Sequence, residues 1–176
     1  MTAVSTPLVI GLGHRDRGDD AVGPAVAEAL AAGGLPGAEV VEHEDPMDLV
    51  LRWSGRPWAV VVDAVVSGAA AGTVVTADLR GPAPATRDWG RAALGGTHAF
   101  GLAEAIDLSR ALGRLPDRVT LVGVEAGDVT PGVGLCPAVA SAVPEAVERV
   151  RGLLARTRLV PTGAESEHAG GADVPR

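Results

Sequence analysis

The stretch that decides the fold of this chain is VIGLGHRDRGDDAVG at residues 9–23. It predicts a short apolar strand that turns through glycines and delivers two adjacent carboxylates, Asp19 and Asp20, to the start of a helix. A helix N-terminus offers free N–H groups and a partial positive charge, so one carboxylate there is explained as a cap. Two carboxylates with the nearby imidazole of His14, at the exit of a buried strand, indicate a site for a metal ion or for proton transfer.

Composition limits the classes of protein to which the chain can belong. Its 176 residues fit one domain, and a hydrophobic content of 47% argues against disorder. A net charge of −7 disfavours non-specific binding to nucleic acid. All 15 basic residues are Arg, and the absence of Lys and Tyr excludes a Lys Schiff base, a P-loop Lys and a Tyr acid.

Cysteine usage and the absence of long apolar runs limit the cellular setting. Cys136 is the only cysteine, which excludes an internal disulfide and a thiolate-based zinc site, and no partner group supports it as a nucleophile. The N-terminus lacks the features of a signal peptide, and no apolar run reaches the roughly 20 residues that span a bilayer. We expect a cytoplasmic protein that binds neither membrane nor nucleic acid, and its acidic single-domain character permits a monomer.

Hydrophobic patterning predicts strands that alternate with helices. The predicted strands are 8–12, 38–42, 58–62, 73–79 and 118–122, and the predicted helices are 20–32, 47–53, 99–112 and 136–154. This alternation predicts an α/β fold, a three-layer α/β/α sandwich with a mostly parallel five-stranded sheet. We expect one domain over residues 1–155, a long loop at 81–96 and a disordered tail at 156–176.

Three segments bring polar side chains toward one edge of this sheet. Asp20 follows the first strand, Asp63 follows the apolar run of the third, and His98 stands in the loop after the fourth. If the strands are parallel, their carboxyl ends share an edge, and two carboxylates with one imidazole suit a divalent transition metal. Each residue also has a plainer explanation. Asp20 could cap a helix, Asp63 could orient a turn, and a loop histidine such as His98 is often solvated.

Other polar residues near the same edge leave alternatives open. His14 could be an auxiliary ligand or a surface turn residue, and His43 could serve a substrate loop or a structural role. A dinucleotide site is disfavoured, because Asp16 stands where the fingerprint that begins at Gly11 requires a glycine.

Taken together, the three segments resemble the hydrogenase maturation proteases. The first family motif is matched by GLGHRDRGDDAVG at 11–23, the second by VVDAVVSG at 61–68 and the third by THAFGL at 97–102. VGVE at 122–125 and GVGLCPAV at 132–139 are similar to the family's closing strand, loop and last helix. The resemblance covers about residues 8–151 and implies an α/β/α fold. The family usually has Asn where His14 stands and often a Gly-Gly-Thr-like turn where this chain has HEDP at 43–46.

The resemblance implies an endopeptidase that removes the C-terminal extension of a [NiFe] hydrogenase large-subunit precursor. Asp20, Asp63 and His98 would be its catalytic and metal-contacting residues, and they would recognise nickel already inserted in the precursor. Water would be the attacking group, with Asp19, Asp20 or Asp63 as general base or with nickel polarising the water. In this scheme Asp19 caps the helix and holds Asp20 in place. A general metallohydrolase with its own bound metal and a non-catalytic hydrogenase assembly factor are the alternatives.

Overall fold

A computed structural model describes residues 6–81 and 97–158 of the chain. The strands are β1 (Leu8–Leu12), β2 (Glu39–His43), β3 (Trp58–Val65), β4 (Val74–Asp78) and β5 (Arg118–Glu125). The helices are α1 (Val22–Ala32), α2 (Leu49–Arg52), α3 (Thr97–Ala111) and α4 (Pro137–Arg158), and short 3-10 turns at Gly18–Ala21 and Pro46–Asp48 precede α1 and α2. No helix within the described residues combines the length and apolar character needed to cross a membrane.

The five strands form one sheet in the order β2-β1-β3-β5-β4, which confirms the predicted α/β class. β2, β1, β3 and β5 are parallel to one another, and β4 at the end of the sheet is antiparallel to β5. The chain leaves β1 toward β2 on one side and returns to β3 on the other. The strand order therefore reverses between β1 and β3, and in open α/β sheets the ligand crevice lies at the carboxyl ends of such strands.

Helices cover both faces of the sheet and bury a separate core on each. Alternate residues of β1 and β3 face opposite sides, as the two-residue period of a strand requires. Ile10 and Val61 pack in the core under α2 and α3, whereas Val9 and Val60 pack in the core under α1 and α4. The fully apolar runs seen in the sequence arise because the inner strands are buried on both faces.

Two strands are longer at their carboxyl ends than the sequence predicts. β3 and β5 pair in register from Trp58 opposite Arg118 to Val65 opposite Glu125. Asp63 therefore lies within β3 rather than after it, and the prediction that the strand ends at residue 62 was wrong. A carboxylate in an apolar run resembles a strand end in sequence, but here the pairing with β5 continues past it.

The sequence placed His98 at the carboxyl edge because it follows the fourth strand, and this reason was also wrong. Since β4 is antiparallel, with Val74 opposite Val124 and Asp78 opposite Thr120, it ends at the other edge of the sheet. His98 is the second residue of α3 and not a loop residue. α3 begins near the carboxyl edge, because a Cβ on Gly101 would lie 3.0 Å from Pro46, which follows β2.

Some predictions fall partly on residues that the structure does not describe. Most of the expected loop at 81–96 and the tail beyond residue 158 lie outside the described ranges. α4 continues to Arg158, three residues past the predicted domain boundary. The division into a domain at 1–155 and a tail stays a prediction.

Candidate active site

The candidate site lies at the carboxyl edge of the sheet, where the strand order reverses between β1 and β3. Gly11 and Val62 are the last pair in the β1–β3 register, and Asp63 is the next residue along β3. Asp20 lies in the 3-10 turn that connects β1 to α1. The structure thus brings these two predicted site residues together from neighbouring strands.

Asp63 is a buried carboxyl group whose side chain finds no hydrogen-bond partner in the described part of the protein. Only 1% of the residue is exposed, and within the described part of the chain neither side-chain oxygen has a hydrogen-bond partner. Burial raises its pKa well above the usual range, the negative charge of Asp20 raises it further, and a weak contact with the Ala64 N–H opposes them. Leaving a buried polar group unsatisfied costs about 1–3 kcal/mol, so Asp63 lowers the stability of the fold.

The carboxylate of Asp20 is held by the turn that precedes it. Its Oδ2 accepts the backbone N–H of His14 at 2.9 Å, and Nδ1 of the His14 ring lies 3.3 Å from the same oxygen. The residue at the N-cap of α1 is Ala21, and no side chain caps that helix. The alternative that Asp20 serves only as a helix cap is therefore excluded.

Asp19 does not cap the helix either, contrary to the expectation from sequence. Its fully buried carboxylate accepts three backbone N–H groups, from Gly127 and Asp128 at 2.8 Å and from Cys136 at 2.7 Å. Burial alone would raise the pKa of Asp19, but these three donors outweigh it and lower the pKa. The tertiary structure thus uses Asp19 to join the turn after β1 to the loop after β5, a contact more than 100 residues away in sequence.

The predicted third ligand is His98, for which the structure describes the backbone but not the side chain. Its place in the first turn of α3 is near the carboxyl edge, as argued above from Gly101 and Pro46. Among the side chains that the structure describes, no three His, Cys, Asp or Glu residues form a group able to hold a metal ion. The assignment of Asp20, Asp63 and His98 as a ligand set stays a prediction.

Glycines allow the backbone to pack closely around Asp20. Gly13 has φ +137°, and a Cβ there would lie 2.0 Å from the carbonyl oxygen of Asp20. A Cβ on Gly23 would lie 2.2 Å from the carbonyl oxygen of Leu12, so α1 can approach β1 only with glycine at that position. The glycines in this motif thus serve the packing of the turn, which agrees with the sequence argument against a dinucleotide site.

A cleft of about 400 Å³ opens beside the site. It is lined by Gly13, Arg15, Pro24, Glu42, His43, Glu44, Asp45 and Asp48. His43 ends β2, and its Nδ1 lies 3.7 Å from Asp48, while its buried Nε2 has no hydrogen-bond partner among the described residues. Nε2 of His14 lies 4.0 Å from Glu44, so His14 stands between the cleft and Asp20.

Sequence reasoning missed the role of Glu125 at the end of β5. This buried carboxylate accepts the backbone N–H groups of Ser67 and Gly68 at 2.8 Å and the Ser67 hydroxyl at 2.7 Å. It therefore anchors the loop that follows β3. The available signal was a carboxylate directly after the apolar run at 119–124, the same signal that singled out Asp63. Cys136 is half-buried and forms no disulfide, and both its backbone N–H and its thiol contact Asp19 and help to lower the pKa of that carboxyl.

Comparisons with known proteins agree on one family. The profile described as hydrogenase maturation protease matches residues 44–152. The hydrogenase 2 maturation protease of Escherichia coli K12 is 31% identical over 168 residues, which cover 92% of this chain and 98% of that protein.

Solved structures give the same result. The hydrogenase maturating endopeptidase HybD from E. coli superimposes with a TM-score of 0.75 at 27% identity, covering 86% of this chain and 93% of that one. The [NiFe] hydrogenase maturation protease HybD from Thermococcus kodakarensis has a TM-score of 0.69 at 25% identity, covering 84% and 98%.

Proposed function

Because this chain belongs to the hydrogenase maturation protease family and is an endopeptidase of that class, we propose that it removes the C-terminal extension of a [NiFe] hydrogenase large-subunit precursor after nickel insertion. All three relatives above are named for the maturation of a hydrogenase, and one of the names gives the [NiFe] class. The precursor is the partner, nickel is part of the substrate, and we place the reaction in the cytoplasm.

The observation that carries the proposal is the carboxyl of Asp63, which lies beside Asp20 with no hydrogen-bond partner among the described residues. A buried carboxyl without a hydrogen bond destabilises the fold, so its presence at the carboxyl edge of the sheet favours a role in binding. Its raised pKa means that it holds a proton more readily than an exposed aspartate, and a cation entering the site would displace that proton. Carboxyl groups with strongly perturbed pKa values are enriched at functional sites.

The proposed ligands explain how cleavage could depend on nickel. Asp20, Asp63 and His98 offer two oxygens and one nitrogen, a set that binds a divalent transition metal without great strength. The stronger thiolate ligands belong to the nickel centre of the precursor. Docking of that centre on the three residues would place the scissile peptide bond at the edge of the sheet, and such orientation can lower the barrier by several kcal/mol.

The structure narrows the choice of general base for the attacking water. Asp19 is enclosed by three N–H donors that lower its pKa, which makes it a poor proton acceptor. Asp20 and Asp63 remain as the two candidates for the general base, and nickel that polarises the water itself is the alternative.

The test compares nickel-loaded and nickel-free precursor as substrates. The wild-type enzyme should shorten only the loaded precursor, with the mass loss at its C-terminus. Asp20→Ala, Asp63→Ala and His98→Ala should each abolish cleavage. Asp107→Asn is the matched control, because Asp107 is exposed on α3 and pairs only with Arg110 among the described contacts.

Each alternative function gives a different result in this test. Equal cleavage of both precursors, together with a stoichiometric metal in the purified enzyme, would identify a general metallohydrolase. Binding of the loaded precursor without any loss of mass would identify an assembly factor. Wild-type rates in all three alanine variants would refute the site assignment.

A further inference from the structure

Asp19 is bound to the segment after β5 through both its backbone and its side chain. Its backbone N–H donates to the carbonyl of Asp128 at 2.7 Å, and its carboxylate accepts the N–H groups of Gly127, Asp128 and Cys136. Hydrogen bonds to a charged acceptor are stronger than neutral ones, and the accepting residue is fully buried. Residue 19 is therefore one of the most firmly held points of the turn after β1.

The next residue, Asp20, is held against this fixed point from the other side. Its carbonyl oxygen packs on Gly13, where no Cβ could fit, and its carboxylate accepts the His14 N–H. A shift of Asp19 would therefore carry the backbone of Asp20 with it, and the hydrogen bond from His14 would lengthen or break.

The segment that holds Asp19 is also joined to the strand that carries Asp63. Glu125 immediately precedes it and binds Ser67 and Gly68, directly after β3. The Ala126 N–H donates to the carbonyl of Val65, the last residue of β3, at 2.8 Å. Residues 125–128 thus connect the turn of Asp20 to the strand of Asp63, and we call them the β5 connector.

We propose that Asp19 is a positioning residue of this peptidase, which fixes Asp20 relative to Asp63 by anchoring the turn after β1 to the β5 connector. The proposal rests on the proposed function, because the geometry matters for the cleavage that those two carboxylates perform. Asp19 itself is committed to three backbone donors, so it acts through Asp20 and touches no substrate. Groups that orient metal-binding or catalytic residues are worth about 10- to 100-fold in affinity or activity.

The first experiment separates positioning from stability. Asp19→Asn keeps the size of the side chain but turns an N–H₂ group toward backbone donors, so at least one of the three bonds is lost. With nickel-loaded precursor, kcat should fall by about 10- to 100-fold and KM should rise, because Asp20 both positions the scissile bond and helps to dock the nickel centre. Thr120→Val is the control, since it removes a buried hydrogen bond from Trp58 far from the site. It should lower the melting temperature and leave kcat unchanged.

The second experiment needs no activity and uses amide hydrogen exchange. In the wild-type protein the N–H of His14, which binds Asp20, should open with the same free energy and denaturant dependence as the N–H of Asp128, which binds Asp19. In Asp19→Asn the His14 amide should lose more protection than the Val61 amide of β3, which reports global stability. In Thr120→Val the two should lose protection equally.

The outcomes distinguish this proposal from the proposed function. If the wild-type enzyme fails to cut any precursor, the function is wrong, and the exchange data still decide whether Asp19 holds Asp20. If His14 opens independently of Asp128 in the wild type, the positioning role is refuted, even if Asp19→Asn does not fold. A fall in kcat no greater than that of Thr120→Val would also refute it.

Discussion

Asp63 on β3 and Asp20 after β1 form a pair of like charges at the reversal of the strand order. Burial raises the pKa of Asp63, and the negative charge of Asp20 raises it further. Such a pair is costly in an empty site and becomes favourable when a cation lies between the two groups. The stability of the protein and its chemistry should therefore respond in opposite directions to changes at Asp63.

Replacing Asp63 with Asn should stabilise the enzyme at neutral pH and abolish cleavage. The unfolded carboxyl ionises near about pH 3.9, whereas the buried one keeps its proton to higher pH. The wild type therefore loses stability as the pH rises from about 4 toward the raised pKa, and the variant does not. We expect the variant to be the more stable protein at pH 7, because its amide side chain does not ionise.

Urea unfolding at several pH values measures this effect. The two proteins should converge in stability near pH 3, where both states of the wild type are protonated. Asp107→Asn, on an exposed face of α3, should follow the wild type throughout. A variant less stable than the wild type at pH 7 would contradict the strain assigned to Asp63.

Two glycine-to-alanine changes should have opposite effects on stability. A Cβ on Gly23 would lie 2.2 Å from the Leu12 carbonyl oxygen and 2.6 Å from that of Val62, and both are backbone atoms that cannot move aside. Gly23→Ala should therefore destabilise the protein by about 3 kcal/mol. Gly152 in α4 has nothing within 4 Å of its Cβ position, so Gly152→Ala should stabilise by about 1 kcal/mol. Thermal unfolding of both variants checks the pair, and equal effects would show that α1 can move away from β1.

Replacing Glu125 with Ala should destabilise the protein more than replacing it with Gln. Glu125→Ala takes the acceptor away from the part-buried N–H groups of Ser67 and Gly68, which should cost about 2 kcal/mol. Glu125→Gln keeps one carbonyl oxygen for those two donors, and the Ser67 hydroxyl can accept from the new amide. This variant should cost about 1 kcal/mol. Denaturant titration provides the measurement, and similar losses in the two variants would show that the charge matters more than the acceptor.

The side chain of His14 should be dispensable for the placement of Asp20. The 2.9 Å hydrogen bond to Asp20 comes from the backbone N–H, which any residue other than proline supplies. His14→Asn should therefore cleave precursor at a rate of the same order as the wild type, whereas His14→Pro should lose activity. Initial rates with loaded precursor measure both. Loss of activity in His14→Asn would assign the imidazole a direct part in the reaction.

Much of the fold follows from local patterns. β1 begins and ends where the apolar run does, and the α/β class follows from the alternation of strands with helices. The end of β3 could not be predicted, because it depends on pairing with β5, which is distant in sequence. The direction of β4 was missed for the same reason. A strand of five residues carries no sign of whether its neighbour runs parallel or antiparallel.

The candidate site divides in a similar way. Asp20 and Asp63 could be selected from sequence because carboxylates after buried strands of a parallel sheet meet at one edge. The roles of Asp19 and Glu125 could not be predicted, since their partners lie 108 or more residues away for Asp19 and 57 or more for Glu125. Every residue except proline has a backbone N–H, so the sequence does not indicate which residues donate these hydrogen bonds.

The sequence by itself determined the sheet, the two apolar cores and the presence of carboxylates at their edge, because periodicity and chain order are local properties. Only the tertiary structure decided what each carboxylate does. Asp19 has a lowered pKa because folding brings it three N–H donors, whereas Asp63 has a raised pKa because folding buries it beside Asp20. Gly13 and Gly23 make this arrangement possible, because without a Cβ the turn after β1 and α1 can pack closely against their neighbours. This close packing holds Asp19 and Asp63 in different environments.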